Sequence, residues 1–248
     1  MSTAIGIDFG GTGIKGAPVD LTAGVFAADR VRIKTPDKST PKAVADIVAD
    51  LVTQFPDHDG PVGITVPGVV RHGVVHSAAN IDKSWIGTDA DTLFTQRLGG
   101  RPVHVVNDAD AAGLAEVHYG AAKGHGGLVI VTTLGTGIGS ALVYDGTLLP
   151  NTELGHLEID GHEAESRASN RAREDKDLSW EEWAKRLTRY YRTLEALFSP
   201  DLFLVGGGVS KDFDSFGHLI DVDTEIIPAT LRNKAGVIGA ALVATQVR

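Results

Sequence analysis

The 248-residue chain has no cysteine. Disulfides, thiol nucleophiles and thiolate-held metal sites are therefore excluded. Long hydrophobic runs are missing as well, none approaching the roughly 20 residues that span a bilayer. The first residues enter a strand-like alternation at once rather than a basic, apolar leader. The expectation is a cytoplasmic protein without a membrane partner. Basic charge is in short supply, with 23 Lys and Arg against 32 Asp and Glu and a formal net charge of −9. That balance speaks against general binding to nucleic acid or an anionic membrane. An anionic substrate would need a local basic patch held against the overall field. No segment is low-complexity or linker-like, so a second domain must be joined by crossing elements rather than by a tether.

What the chain does have is glycine, 30 residues, placed in patterns. Leu128–Val131 is an apolar run of the kind a buried strand makes. Gly135, Gly137 and Gly139 punctuate a turn after it, and Ala141–Val143 resumes the apolar pattern. This reads as a hairpin with a side-chain-poor tip, where backbone N–H groups can approach a ligand. Thr132, Thr133, Thr136 and Ser140 surround those amides with hydroxyls, a donor set suited to phosphate. A glycine-rich hairpin can also do no more than turn the chain. The pattern recurs, however: Ile5, Ile7 and Phe9 alternate around Asp8 and lead into Gly10-Gly11-Thr12-Gly13-Ile14-Lys15. The tetrapeptide Gly-Thr-Gly-Ile stands at 11–14 and again at 135–138, which suggests a duplicated unit gripping one anion from both sides.

Between and beyond these bends, the apolar residues Val44, Ile47, Val48, Leu51, Val52 and Phe55 predict one amphipathic helix. Val62–Val66 and Val103–Val106 predict buried strands, and Asp91–Leu98 a brief helix. The second strand runs into Asn107-Asp108-Ala109-Asp110 and a small-residue helix reaching Tyr119. A carboxylate at that point lies where α/β sheets bind ligands, although Asn107 or Asp108 could equally just cap the helix. Glu153-Leu154-Gly155-His156 concentrates ionisable groups after a turn. Arg167–Asp177 reads as a solvated charged tract rather than a site. Ser179-Trp180-Glu181-Glu182 is a capping box opening a helix with Trp183, Leu187, Tyr190, Tyr191, Leu194 and Phe198 on one face, either core or subunit interface. Leu202–Val205 empties into Gly206-Gly207-Gly208. Thr224–Ile227 predicts a last strand and Gly236–Val247 a small-residue helix.

Taken in order, Asp8-Phe9-Gly10-Gly11-Thr12, Asn107-Asp108-Ala109-Asp110, Leu134–Gly139, Glu153-Leu154-Gly155-His156 and Gly206–Gly208 resemble the motifs of the ROK-family sugar kinases (repressors, open reading frames, kinases). The likeness covers nearly the whole chain, and within the family it is to the polyphosphate-using glucokinases of actinobacteria. It implies an α/β, two-lobed actin/hexokinase-like (ribonuclease H-like) fold with a duplicated mixed β-sheet unit. The expected lobes are 1–107 with 235–248, the smaller, and 108–234, the larger. Most family members carry a cysteine-rich zinc loop after the Glu-x-Gly-His motif. Here Ile159–Ser169 must be ordered without it, and no zinc is expected. With the first strand expected to start at about residue 3, the helix-turn-helix of the repressors is not expected ahead of it.

The resemblance implies phosphoryl transfer from polyphosphate, or from ATP, to glucose or mannose, supplying glucose 6-phosphate for glycolysis. A strictly ATP-dependent glucokinase or mannokinase is the alternative, and a non-catalytic sugar sensor a more distant one. Asp108 would be the base for the sugar 6-hydroxyl. Gly68, Asn80, Asn107, Glu153, His156 and Glu165 would line the sugar, since carboxylates and amides can each take two adjacent hydroxyls. Gly10, Gly11, Thr12, Gly13 and Lys15, with Thr133, Gly135, Thr136 and Gly137, would hold the phosphates. Gly206, Gly207 and Gly208 match the nucleotide-side loop of ATP-using relatives. Asp8 would hold Mg²⁺ through water, since magnesium keeps much of its hydration shell. Lys15, Arg71, Lys83, Lys123, Lys211, Arg232 and Lys234 are candidates for a basic track guiding polyphosphate. A homodimer is implied, with the aromatic helix from Ser179 to Phe198 as its candidate surface.

Overall fold

The structure, a computed structural model, describes residues 3–246. It divides into two compact units, Met1–Ala115 with Lys234–Arg248, and Glu116–Asn233.

The first unit opens with β1 (Thr3–Gly10) and β2 (Gly13–Asp20), an antiparallel hairpin in which Asp8 pairs with Lys15. Short strands β3 (Val25–Phe26) and β4 (Val31–Ile33) both add to β2. Helix α1 (Pro41–Val52) follows, started by Thr40, whose hydroxyl accepts from the Ala43 N–H, and by Pro41. Strand β5 (Val62–Val66) lies parallel to β1. A small hairpin of β6 (Val70–Arg71) and β7 (Val74–Val75) turns through Gly73, and helix α2 (Ala90–Arg97) leads to β8 (Val103–Asn107), parallel to β5. Ile5, Ile7 and Phe9 project from β1 into a core shared with Val44, Val48 and Leu51 of α1, Phe94 of α2 and the buried Trp85.

Helix α3 (Asp108–Tyr119) leaves the end of β8, and the division between units falls within it. The second unit then repeats the design. Strands β9 (Leu128–Leu134) and β10 (Ile138–Tyr144) form the second glycine-tipped hairpin, and β11 (Thr147–Leu149) extends it beyond β10. A minimal hairpin, β12 (Glu158–Ile159) and β13 (His162–Glu163), precedes α4 (Glu165–Ala168), α5 (Asn170–Asp175) and the long α6 (Trp180–Phe198). Strand β14 (Leu202–Gly206) pairs parallel with β9, and β15 (Ile226–Pro228) parallel with β14.

The two main sheets have orders β3-β2-β1-β5-β8 and β11-β10-β9-β14-β15. In each, an antiparallel hairpin forms one side and two parallel strands the other, so the repeated tetrapeptide marks a repeated topology.

Helix α7 (Ala235–Ala244) closes the first unit against β1, β5 and β8. It approaches so closely that a Cβ on Gly63 would lie 1.7 Å from the Ala240 carbonyl oxygen, and one on Gly6 1.8 Å from that of Val237. The sequence extends this helix to Val247, which lies outside the described residues.

One expectation is corrected here. Trp183, Leu187, Tyr190, Tyr191 and Leu194 of α6 face inward onto Phe203 and Phe216. Trp183 and Tyr191 are completely buried in the chain's own core. An amphipathic helix beside a sheet buries its apolar stripe on that sheet, so this stripe is no dimer surface. The predicted capping box does form, with Ser179 accepting from the Glu182 N–H and Glu182 from that of Ser179.

Candidate functional site

Because β1, β5 and β8 run parallel, their C-terminal ends share one edge of the first sheet. That edge collects the Gly10–Gly13 tip, Gly68 and the Asn107-Asp108 pair, with β1 and β8 about 10 Å apart across β5. Asp8, near the end of β1, accepts from the Thr65 hydroxyl of β5 at 3.2 Å and meets Lys15 Nζ at 3.4 Å. Thr65 in turn accepts from the Phe9 N–H at 3.1 Å. Lys15 therefore folds back on Asp8 within the hairpin. The Gly10 carbonyl accepts from the Thr35 hydroxyl and the Thr12 carbonyl from Arg32. Gly11 and Thr12 themselves are exposed, leaving the tip open. The loop carrying Asn80 sits against it, with the Asn80 carbonyl 3.3 Å from where a Gly11 Cβ would be. Asn80 adopts φ 58°, a conformation asparagine tolerates better than most residues.

The open question at the end of β8 resolves residue by residue. Asn107 is the cap: it is 7% exposed, and its Oδ1 accepts from the N–H groups of Ala109 and Asp110 at 2.8 and 3.0 Å. Its amide nitrogen donates to the Gly68 carbonyl at 3.0 Å, fixing the strand-end loops to each other. Asp108, the first residue of α3, is exposed, with Oδ1 accepting from the Ala109 N–H at 3.0 Å. A buried amide thus locks the helix start that presents a carboxylate to solvent.

In the second unit the Gly135 N–H donates to the Gly137 carbonyl at 3.0 Å, closing a tight bend, and the Gly135 carbonyl accepts from the Arg171 N–H. Glu165 Oε2 accepts from the Ile138 N–H at 3.1 Å, and a Cβ on Gly137 would lie 2.4 Å from that same oxygen. Thr133 is half-buried and Thr136 exposed. Gly206 pairs with Thr133 across the sheet. Gly207, at φ 84°, packs so tightly that a Cβ would lie 2.5 Å from the Leu134 carbonyl. The third glycine cluster therefore borders the second bend.

The Glu153–His156 turn is held on β10 by Ser140, whose hydroxyl donates to the Thr152 carbonyl at 2.6 Å and accepts from the Leu154 N–H at 2.9 Å. Gly155 is required there, since a Cβ would fall 2.2 Å from the Ile138 carbonyl. Burial raises the Glu153 pKa above the usual carboxylate value; His156 opposes this and Glu165 adds to it. His156 Nδ1 lies 3.7 Å from Glu163 and 4.0 Å from Glu165. One ligand atom from each of these three residues falls within 4.8 Å of the others, so the trio could hold a cation. The 159–169 stretch is ordered by protein contacts. Arg189 makes a two-point pair with Asp160 at 2.9 and 2.8 Å, and the Trp183 indole donates to the Ala168 carbonyl at 3.0 Å.

Each unit brings some of its candidate residues together, Asp8 with Lys15 and Asn107 with Gly68 in the first, Glu165 with Gly137 and His156 in the second. The Thr132 hydroxyl, by contrast, is buried against Tyr191 and that of Ser140 against Thr152. Two supports escape sequence reasoning. Thr65 looks like any threonine in a strand. Glu116, 1% exposed, accepts from the N–H groups of Ala121, Thr230 and Leu231, partners that reveal themselves only once the chain is folded.

The ROK family model matches residues 4–172. Polyphosphate glucokinase of Mycobacterium tuberculosis (strain CDC 1551 / Oshkosh) is 52% identical over 237 residues, 96% of this chain and 89% of that one. The crystal structure of the inorganic polyphosphate/ATP-glucomannokinase of Arthrobacter sp. strain KM superposes with a TM-score of 0.92 at 55% identity, covering 98% of both chains. A ROK family glucokinase of Streptomyces griseus, solved with glucose and AMPPNP, gives a TM-score of 0.84 at 28% identity, over 99% of this chain and all of that one. With its repeated hairpin sheets, its motifs on their shared edges and a family match across most of its length, the chain belongs to the ROK family.

Proposed function

We propose that the chain is a hexokinase-type sugar kinase that transfers a phosphoryl group from inorganic polyphosphate to the 6-hydroxyl of glucose. The observation that carries this reading is near-full-length similarity at 52% identity to a polyphosphate glucokinase, combined with an exposed Asp108 at the strand edge that also holds a glycine bend. Phosphoryl transfer depends on positioning and charge stabilisation more than on covalent chemistry. Asp108 takes the proton of the attacking hydroxyl. Asn107 fixes the helix start that carries it, and Gly68, Asn80, Glu153, His156 and Glu165 line the sugar. The bends at Gly10–Gly13 and Gly135–Gly137, with Thr12, Thr133 and Thr136, hold the phosphates by backbone N–H groups and hydroxyls, and the Lys15 ammonium, resting on Asp8 beside the first bend, adds positive charge.

Asp8 fits a Mg²⁺ held through water: it is one half-buried carboxylate, oriented by Thr65, at a strand end beside the first bend. When bound, Mg²⁺ would neutralise charge on the transferring phosphoryl. The functional lobes are read as 1–107 with 235–248 and 108–234. Mannose is read as a second acceptor, which the name of the Arthrobacter relative supports. A homodimer is read from the family resemblance, and sedimentation of the purified protein tests it.

ATP as a second donor is favoured by Gly206–Gly208 and by the same relative's name. The deciding experiment measures glucose 6-phosphate formed by purified protein from glucose with long-chain polyphosphate or with ATP. Product from polyphosphate is expected. Product from ATP alone would overturn the polyphosphate reading and leave a strictly ATP-dependent kinase.

A further inference from the structure

The second unit contains a pocket of about 220 Å³ formed by the β12–β13 hairpin, α4 and α6, and the function proposed above does not use it. Arg167, Lys185, Arg186 and Arg189 line it, with Asp160 as the one carboxylate in its wall. Four cations around one cavity are conspicuous in a chain of net charge −9. Lys185 and Arg189 stand four residues apart on α6, where like charges repel. Arg189 is paired with Asp160, and Glu181, one turn before Lys185, offsets part of the charge from outside the pocket.

The local sequence explains why space is left between these groups. Asp160 and Gly161 both take positive φ, 55° and 77°, turning the short hairpin tightly, and Arg189 anchors its tip. Ala164, just before α4, and Ala168, at its end, lie one turn apart and are too small to fill the gap. Arg186 donates to the Arg167 carbonyl at 3.3 Å, tying α6 to α4 across the pocket. Tyr190 completes the wall. It is 1% exposed, and its hydroxyl has no hydrogen-bond partner among the described residues, an unusual state for a buried polar group.

We propose that this pocket is an anion site for a phosphoryl group, held by Arg167, Lys185 and Arg186, with Arg189 fixed in its wall on Asp160 and Thr193. Guanidinium groups suit phosphate because their planar N–H forks engage two oxygens at once. Helix α4 presents Arg167 and Ala168 to the pocket, while its Glu165 turns to the Ile138 N–H at the second glycine bend. An anion held here is thus one short helix away from that bend. The site stands whether or not the chain is a kinase.

Hydrogen–deuterium exchange on the full-length protein tests it, with pyrophosphate as probe. Pyrophosphate is expected to slow exchange in residues 158–168 and 183–190, and the double variant Lys185→Gln with Arg186→Gln to raise the concentration needed at least tenfold. Protection around 133–138 should persist in that variant if the glycine bends bind phosphate on their own. Should the double variant fold poorly by circular dichroism, Lys185→Gln alone, at an exposed position, is expected to raise that concentration about threefold. Parallel titrations with orthophosphate, glucose 6-phosphate and long-chain polyphosphate identify the source of the phosphoryl group. No protection of 158–168 by any of these anions, or equal protection in wild type and variants, would overturn the proposal.

Discussion

At the scale of single residues, the pair at the end of β8 shows how neighbouring side chains divide the work. Asn107 spends both ends of its amide on structure, while Asp108 accepts from the neighbouring Ala109 N–H and is exposed. Sequence reasoning saw both a helix cap and a reactive carboxylate here, because either residue could cap the helix while Asp108 alone could also act as a base. If Asp108 is the base, Asp108→Asn should lower kcat by roughly 10²–10⁴-fold, the usual worth of a positioned base. The fold should survive, since an asparagine oxygen can still accept from the Ala109 N–H. Steady-state kinetics and a thermal melt check this together, and near-native turnover would remove Asp108 from the role. Glu153 gives a second test. Its folded-state pKa is raised by burial, so the folded protein holds that proton more tightly than the unfolded chain. The stability gained from this is complete below the unfolded carboxylate pKa and is lost as pH rises through the folded value. Glu153→Gln removes the cost of ionisation, so the variant should melt higher than wild type at pH 7.5 and alike near pH 3.5. An equal difference at both pH values would contradict the burial argument. Thr65 and Glu116 remained illegible because nothing local marks a residue whose partners lie 57 or 114 positions away.

Elements were more legible than their surroundings. The period of α1, the capping box of α6 and the glycine-tipped hairpins follow from local chemistry, and local chemistry is what a sequence displays. Which surface an element meets is not local. The aromatic face of α6 carried the right period but allowed two destinations, and the structure sends it into the core beneath β9 and β14. The glycines beneath α7 were hidden for the same reason: Gly6 and Gly63 read as ordinary strand residues until the helix is laid across them. Their role is testable. A Cβ at residue 63 would overlap the Ala240 carbonyl oxygen, which is backbone and has no rotamer to escape into. Gly63→Ala should therefore cost about 3 kcal/mol, the upper end for overpacking a core. A denaturant melt measures it. A loss under about 1 kcal/mol would mean that α7 can ride away from the sheet at little cost.

At the scale of the whole molecule, the repeat of Gly-Thr-Gly-Ile was a thin signal that pointed to a real symmetry, two sheets of matching strand order. It could not show that the first copy is finished by the last helix in the chain. The first unit's sheet is complete once β8 is made, yet its β1–β5 face stays open until Ala235–Ala244 packs on it. That helix buries Val237, Ile238 and Val243, each worth roughly 1.5–3 kcal/mol when taken fully out of water. Their sum rivals the roughly 5–15 kcal/mol that holds a typical domain folded. The second unit's clusters, around Trp183 and around Val129, contain no residue of α7. A chain ending at Asn233 should accordingly lose the first unit while keeping the second. The tryptophan indoles report on the two separately: Trp85 donates to the Ser39 carbonyl at 2.8 Å in the first unit, and Trp183 to the Ala168 carbonyl at 3.0 Å in the second. In an ¹⁵N–¹H spectrum of the shortened chain, the Trp85 indole resonance should collapse to its unfolded position while that of Trp183 stays dispersed. A native Trp85 signal would mean that the sheet stands without its final helix.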